Sequence, residues 1–105
     1  MVAAKDAHTQ FTRALLDMRG FLFYPDGMDT YEKGYRANIQ LSYSIMNDYV
    51  AKVHKPELKA KGEEVKKLIG DYIKLGDRVI AAKRANDPNL AKITGEGRAL
   101  VAAID

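Results

Sequence analysis

Two arginines and a group of polar side chains are the residues of this chain best suited to binding a small molecule. Arg13 and Arg19 lie on a predicted first helix, and a guanidinium group binds a carboxylate through two parallel hydrogen bonds. Tyr31, Tyr35 and Asn38 bring hydroxyl and amide groups onto or beside the core face of a predicted second helix. Buried polar groups need partners, which are each other, water or a small ligand. The two arginines predict a site for a small anionic molecule, and the alternative for each is a solvated or ion-paired surface position. The polar residues of the second helix predict a separate pocket inside the bundle, and the alternative for them is hydrogen bonding between helices.

Residue types that carry catalysis or bind metals are sparse. The chain has no cysteine and two histidines, which removes disulfides, thiolate catalysis and cysteine-ligated metals. His8 falls on the predicted core face of the first helix, but the fourth helix offers no histidine or methionine to face it across a haem. The sequence also lacks a Glu-x-x-His pair, a Ser-His-Asp set and a phosphate-binding glycine loop. We therefore expect no enzyme activity, no metal and no cofactor.

The bulk composition is that of a helical domain of 105 residues with no membrane span of its own. Hydrophobic residues make up 47% and charged residues 30% of the chain, and the formal net charge is +3. Basic residues are mixed with acids, as on a solvated helix face, and no nucleic-acid recognition motif is present. No apolar run approaches the ~20 residues of a membrane span, and no signal peptide is visible. We expect no nucleic-acid partner.

Apolar residues at alternating spacings of four and three predict four helices. The first covers about residues 3–23, the second ends near Val53, the third runs from near Pro56 to near Ala85, and the fourth follows Asn89. Proline, glycine and asparagine mark the three turns between them. Because the turns are short, the sequence predicts an all-α, antiparallel up-down-up-down four-helix bundle that forms one domain over residues 1–105.

The same spacing assigns a core face to each helix. On the first helix this face reads Ala4, His8, Phe11, Leu15, Met18 and Leu22, and on the second it reads Tyr35, Ile39, Ser42, Met46, Tyr49 and Val53. The third helix is expected to turn Leu58, Val65, Leu68, Ile69, Tyr72, Leu75 and Val79 inward, and the fourth Leu90, Ile93, Gly97, Leu100 and Ile104. Asp29 or Thr30 is the expected N-terminal cap of the second helix.

The first helix carries a second pattern, rotated by about 100° from its core face. Thr9, Arg13, Leu16, Gly20 and Phe23 repeat there at spacings of four and three. Isolated surface hydrophobes are common and are one explanation. The other is that the helix pairs with its own copy about a two-fold axis, which makes these five residues a homodimer interface.

One stretch of the chain is recognisable once the helices are placed. Arg19-Gly20-Phe21-Leu22-Phe23, followed by a turn and by Tyr31, resembles the arginine-glycine-aromatic-leucine segment of four-helix-bundle sensor domains. These domains occur in methyl-accepting chemotaxis receptors and related histidine kinases. The later segment 95–100 is similar to part of the last helix of the same group. The resemblance implies a homodimer in the inner membrane whose periplasmic bundle binds a small molecule or a solute-binding protein. In aspartate-type receptors, first-helix arginines hold an amino-acid carboxylate, and Arg13 and Arg19 are the candidates by location.

Both terminal helices keep the heptad pattern to the ends of the sequence without capping residues. We interpret the chain as a sensor domain excised from a longer membrane receptor, with membrane spans flanking this segment on both sides. The domain itself is then extracytoplasmic. The alternative function is a soluble helical interaction or scaffold module without a small ligand. The sequence identifies neither the ligand nor the output domain.

Overall fold

The computed structural model describes the backbone of residues 2–104 and the side chains of residues 5–104. Its four helices are α1 (Val2–Phe23), α2 (Met28–Lys52), α3 (Pro56–Arg84) and α4 (Leu90–Ile104). Within the described residues there is no strand. These bounds agree with the predicted ones to within about two residues. The predicted position of Ala4 on the core face lies outside the described side chains.

The turn between α1 and α2 is built by glycine rather than by a side-chain cap. Gly27 is the N-cap of α2, with φ of 89°, and its carbonyl accepts a hydrogen bond from the Tyr31 amide at 3.0 Å. A left-handed φ is strained for residues with a Cβ, which explains the glycine. The prediction that Asp29 or Thr30 caps α2 is wrong, because the helix begins earlier, at Met28, and Asp29 lies in its first turn.

Asparagine ends α3 in the same left-handed conformation. Asn86 has φ of 53° and donates its amide hydrogen to the Lys83 carbonyl at 3.2 Å. The next amide, that of Asp87, reaches the Ala82 carbonyl at 2.9 Å. This pair of bonds is the Schellman closure, which satisfies carbonyl groups at a helix C-terminus. The Asp87 carboxylate then accepts the Asn89 amide at 2.8 Å and starts the approach to α4.

Contacts divide the chain into two compact units, one up to Lys66 and one from Lys67 onward. The boundary falls inside α3. The first unit holds the α1–α2 hairpin and the beginning of α3, and the second holds the rest of α3 with α4. The prediction of a single domain stays a prediction.

The core of the first unit joins α1 and α2 in antiparallel order. Its buried side chains are those of Ala7, Phe11, Ala14, Met18 and Phe21 from α1 and of Tyr35, Ile39, Ser42, Met46 and Val50 from α2. The Ser42 hydroxyl is fully buried and donates to the Ala7 carbonyl at 2.9 Å. Gly62 of α3 lies under Tyr49 and Val50, so the beginning of α3 runs antiparallel to α2.

The core face of α1 differs from the predicted one. His8 is exposed, and Leu15 and Leu22 are half-buried, whereas their neighbours Ala7, Ala14 and Phe21 are buried. Phe11 and Met18 belong to both patterns. The physical reason is that alanine lets the helix axes approach closely, so the face centred on small residues turns toward α2.

The second unit packs the C-terminal part of α3 against α4, again in antiparallel order. Its buried hydrophobic side chains on α3 are those of Ile69, Tyr72, Leu75, Val79, Ile80 and Ala82. Gly97 is the buried residue of α4, and a Cβ there would lie 3.5 Å from Leu75 Cδ2. Arg78 and Glu96 link the two helices through an exposed ion pair of 3.0 Å. Since each helix runs antiparallel to the one before it, the predicted all-α up-down-up-down fold is confirmed.

Tyr72 predicts a loss of stability at high pH. Burial raises the pKa of Tyr72 to about 12 from 10.0, because the phenolate is desolvated. A raised pKa in the folded state means that stability is complete below pH 10 and falls as the pH rises through 12. Two pKa units correspond to about 3 kcal/mol. Urea unfolding between pH 9 and 12 should show this loss in the natural chain and not in Tyr72→Phe. The exposed control, Tyr24→Phe, should keep it, and equal losses in all three proteins would contradict the assignment.

Candidate functional site

The outer face of α1 is the most exposed apolar surface among the described residues. Leu16 is 59% exposed and Phe23 is 72% exposed, and the two lie seven residues apart on one side of the helix. Thr9 and Arg13 are exposed on the same side. The Thr9 hydroxyl donates to the Lys5 carbonyl one turn back, at 3.0 Å. Four of the five residues predicted for the dimer interface therefore share an exposed face, which we call the α1 stripe (Thr9, Arg13, Leu16 and Phe23).

Gly20, the fifth predicted interface residue, is buried. A Cβ at this position would lie only 2.4 Å from Cε1 of Tyr31, so the tyrosine ring lies directly on the glycine backbone. Within one copy of the chain, α2 covers Gly20 with Tyr31, and the place of Gly20 in a dimer interface stays a prediction. The ring of Tyr24 packs beside that of Tyr31, with centroids 6.1 Å apart and planes tilted by 31°. Gly20 and Tyr31 thus form one contact that closes the end of the α1–α2 hairpin.

A hydrogen bond between α1 and α2 occupies Asn38. Its side-chain amide donates to the Asp17 carboxylate at 2.9 Å in a partly buried position. Gly34 allows this approach, because a Cβ there would lie 2.6 Å from Asp17 Oδ2. Asp17 is not among the residues that the sequence predicts for a site. The signal that could have found it is Gly34, a helical glycine one turn before a polar residue on the face toward α1.

The remaining predicted ligand residues fall into two groups. Tyr35 is 1% exposed and belongs to the core of the first unit. Arg13 and Arg19 are exposed, and neither forms an ion pair with a described side chain. The structure therefore brings Tyr31, Tyr35 and Asn38 into the hairpin, and leaves the two guanidinium groups available to an anion from solution.

Tyr49 is a second polar residue that the sequence analysis placed only in the core. Its ring packs on Gly62, and its hydroxyl is buried without a hydrogen-bond partner among the described residues. A buried hydroxyl without a partner is costly, and a water molecule is the usual way to satisfy it. We assign Tyr49 to the contact between α2 and α3.

The second unit carries a shallow groove of about 480 Å³ between α3 and α4. Leu75, Ala99 and Leu100 form its apolar floor, and its rim is lined by Asp71, Lys74, Arg78 and Glu96. The rim charges are largely used within the protein, since Arg78 pairs with Glu96 and Asp71 accepts a hydrogen bond from Lys67 at 3.0 Å. This groove lacks converging unpaired polar groups that would hold a small ligand.

The described residues contain no cluster of three or more His, Cys, Asp or Glu side chains with metal-binding geometry. None of the four helices has the length and apolar character needed to cross a bilayer. No protein-family model, curated protein or solved structure matches this chain.

Alanine should have opposite effects on stability at Gly20, which lies under Tyr31, and at Gly95, which faces open space. Gly20→Ala should lower the free energy of unfolding by about 1–3 kcal/mol, because the new methyl group displaces the Tyr31 ring. Gly95→Ala should raise it by about 1 kcal/mol, since nothing lies within 4 Å of a Cβ at Gly95 and alanine favours the helix. Urea unfolding measures both.

A double variant identifies the contact responsible. In a Tyr31→Ala background, Gly20→Ala should lose most of its destabilising effect, because the clashing ring is gone. An equal loss of stability in both backgrounds would contradict the proposed packing of Tyr31 on Gly20.

Proposed function

We propose that this chain is the extracytoplasmic sensor domain of a chemotaxis-type transmembrane signal transducer. It works as a homodimer through α1 and binds a small anionic molecule or a solute-binding protein. The observation that carries the proposal is the α1 stripe, on which Leu16 and Phe23 remain 59% and 72% exposed. The resemblance of segment 19–31 to such sensor domains supports it.

The position of the α1 stripe favours self-association. At 100° per residue, Leu16 lies about 160° around the helix from Met18, which is buried in the core of the hairpin. The stripe is thus directed away from the buried face of α1, and α2 covers only its Gly20 edge, through Tyr31. A two-fold axis that brings the stripe against its own copy buries both apolar side chains with one surface. Each large side chain buried in this way contributes roughly 1.5–3 kcal/mol before the cost of association.

The two arginines flank this stripe. Arg13 lies about 60° to one side of Leu16 and Arg19 about 60° to the other, and they differ by about 9 Å along the helix axis. In a parallel pair of α1 helices, the two-fold rotation exchanges the two sides. Arg13 of one copy therefore comes to the same side of the interface as Arg19 of the second copy.

Tyr31 completes the arrangement. Gly20 lies on the Arg13 side of the stripe, so the Tyr31 ring that covers it lies on that side as well. Along the α1 axis, the Tyr31 ring lies close to the level of Arg19 of the second copy, because Arg19 and Gly20 are adjacent in the chain. Each side of the dimer then offers two guanidinium groups, one from each copy, and a phenol. This set suits a small carboxylate or dicarboxylate, which guanidinium groups bind through paired hydrogen bonds.

Signalling requires that the ligand bind one helix arrangement better than another. A ligand held between two copies satisfies this condition, since its affinity depends on how the two α1 helices are placed. Helix shifts of 1–2 Å at subunit interfaces are a known switching mode. In the proposed receptor, such a shift reaches the cytoplasmic part through the last helix and the membrane span that follows it.

The dimer predicts a difference between two sets of surface substitutions. Leu16→Ser combined with Phe23→Ser should weaken self-association by at least tenfold and leave the thermal midpoint nearly unchanged, because both side chains are already exposed. Leu41→Ser is the matched control, since Leu41 is 47% exposed on α2 and lies outside the stripe. Sedimentation velocity over a range of concentrations measures the association.

The same experiment tests the interaction-module alternative. A tight oligomer that is insensitive to carboxylates and to the stripe substitutions would favour a helical scaffold over a sensor. A chain that stays monomeric with and without carboxylates, at every concentration, would contradict the homodimer.

The ligand site predicts stabilisation by an organic anion. A thermal-shift screen with mono- and dicarboxylic acids and the common amino acids should reveal at least one compound that raises the midpoint. At a ligand concentration of 100 times Kd, the gain is about 2.7 kcal/mol. Arg13→Ala combined with Arg19→Ala should abolish the gain, whereas Arg98→Ala, an exposed arginine of α4, should keep it. Stabilisation that survives the double substitution would reject the assignment of these two arginines.

A further inference from the structure

The excess positive charge of the chain lies in ten residues around the α2–α3 turn. The segment 52–61 holds four lysines and one acid, Glu57, so its formal charge is +3. The chain has 17 basic and 14 acidic residues. Four of the basic residues and one of the acidic residues lie in this segment, so thirteen of each lie elsewhere. The rest of the chain is therefore neutral. We call the four lysines the basic turn: Lys52, Lys55, Lys59 and Lys61.

All four lysines of the basic turn are available at the surface. Each is exposed, as are His54 and Pro56 between them. None of the four forms an ion pair with any side chain from residue 5 to residue 104. The next two lysines of α3 differ, because Lys67 is bonded to Asp71 and Lys66 lies over the Tyr43 ring at 5.8 Å. The fold thus collects unpaired cations at one end of the first unit.

The hairpin defines which end this is. Ser42 near the middle of α2 bonds to Ala7 near the start of α1, so the C-terminal end of α2 lies at the same end as the N-terminus of α1. In the proposed receptor the first helix comes from the membrane, so this end is the membrane-facing one. The orientation of the inference rests on that proposed function.

We infer that the basic turn docks on the anionic phospholipid headgroups of a bilayer. The turn is a protruding surface rather than a pocket, and lysine ammonium groups on flexible stems suit a diffuse layer of phosphates. Near an anionic membrane each lysine strengthens binding by about fivefold, and the attraction fades within a Debye length of about 10 Å at 0.1 M salt. The contact positions the sensor bundle against the membrane from which its first helix emerges.

Vesicle co-sedimentation of the 105-residue chain tests this inference. The chain should bind vesicles of phosphatidylglycerol and phosphatidylcholine at low salt, should not bind pure phosphatidylcholine, and should be released by 0.5 M NaCl. Lys55→Gln combined with Lys59→Gln should weaken binding about 25-fold. Lys33→Gln combined with Lys92→Gln removes the same charge at two other exposed positions and should change binding less than twofold.

Three results would contradict docking of the basic turn on anionic lipid. Equal weakening by the two double variants would overturn the inference, because binding would then follow net charge alone. An absence of binding to the anionic vesicles at low salt would also overturn it. Binding to duplex DNA that is as tight and as sensitive to Lys55→Gln/Lys59→Gln would reassign the basic turn to nucleic acid. None of these results changes the thermal-shift test of the ligand site, so the two proposals fail separately.

Discussion

The close approach of α1 and α2 is the constraint on which the hairpin depends. It is made at small residues, since Gly20 lies under the Tyr31 ring and Gly34 lies against the Asp17 carboxylate. A Cβ at either glycine would come closer than 3.0 Å to these neighbours, so the two helices would have to separate. That approach also permits the hydrogen bond from Asn38 to Asp17. Helix contacts of this kind leave little room for a ligand inside the hairpin.

The close approach of α1 and α2 restricts where on the hairpin a ligand can bind. Tyr35 is 1% exposed in the core of the hairpin, so packing already surrounds its side chain. Asn38 already donates a hydrogen bond to Asp17, and a polar group that has its partner gains little from a ligand. Arg13 and Arg19 remain exposed, on the two sides of an apolar stripe. The site is therefore proposed at the surface of α1 and needs a second copy to become complete.

Charge and packing are distributed differently along the chain. The second unit pairs Lys67 with Asp71 and Arg78 with Glu96, and it buries Tyr72 with a raised pKa. The first unit leaves the basic turn unpaired at one end and the α1 stripe uncovered along one side. Among the described residues, the basic turn and the α1 stripe are the two surfaces best suited to contacts with other molecules. The α1 stripe suits a second protein surface, whereas the basic turn suits a layer of anionic groups.

The periodicity of the sequence determined the helices, because the three-and-four spacing and the turn residues act locally. Helices end and begin at Pro25, Gly27 and Pro56 whatever the tertiary contacts are. All four predicted helices formed within about two residues of their expected bounds. The spacing also identified the exposed positions Leu16 and Phe23. The sequence alone did not show that Gly20 is covered.

Only the tertiary structure determined which face of α1 is buried and which partner Asp17 has. Two overlapping patterns share Phe11 and Met18, and spacing alone does not choose between His8 and Ala7 as the buried residue beside them. The choice depends on how closely α2 approaches, and small residues permit the closer contact. The pairing of Asp17 with Asn38 likewise joins residues 21 positions apart, a separation at which no local pattern carries information.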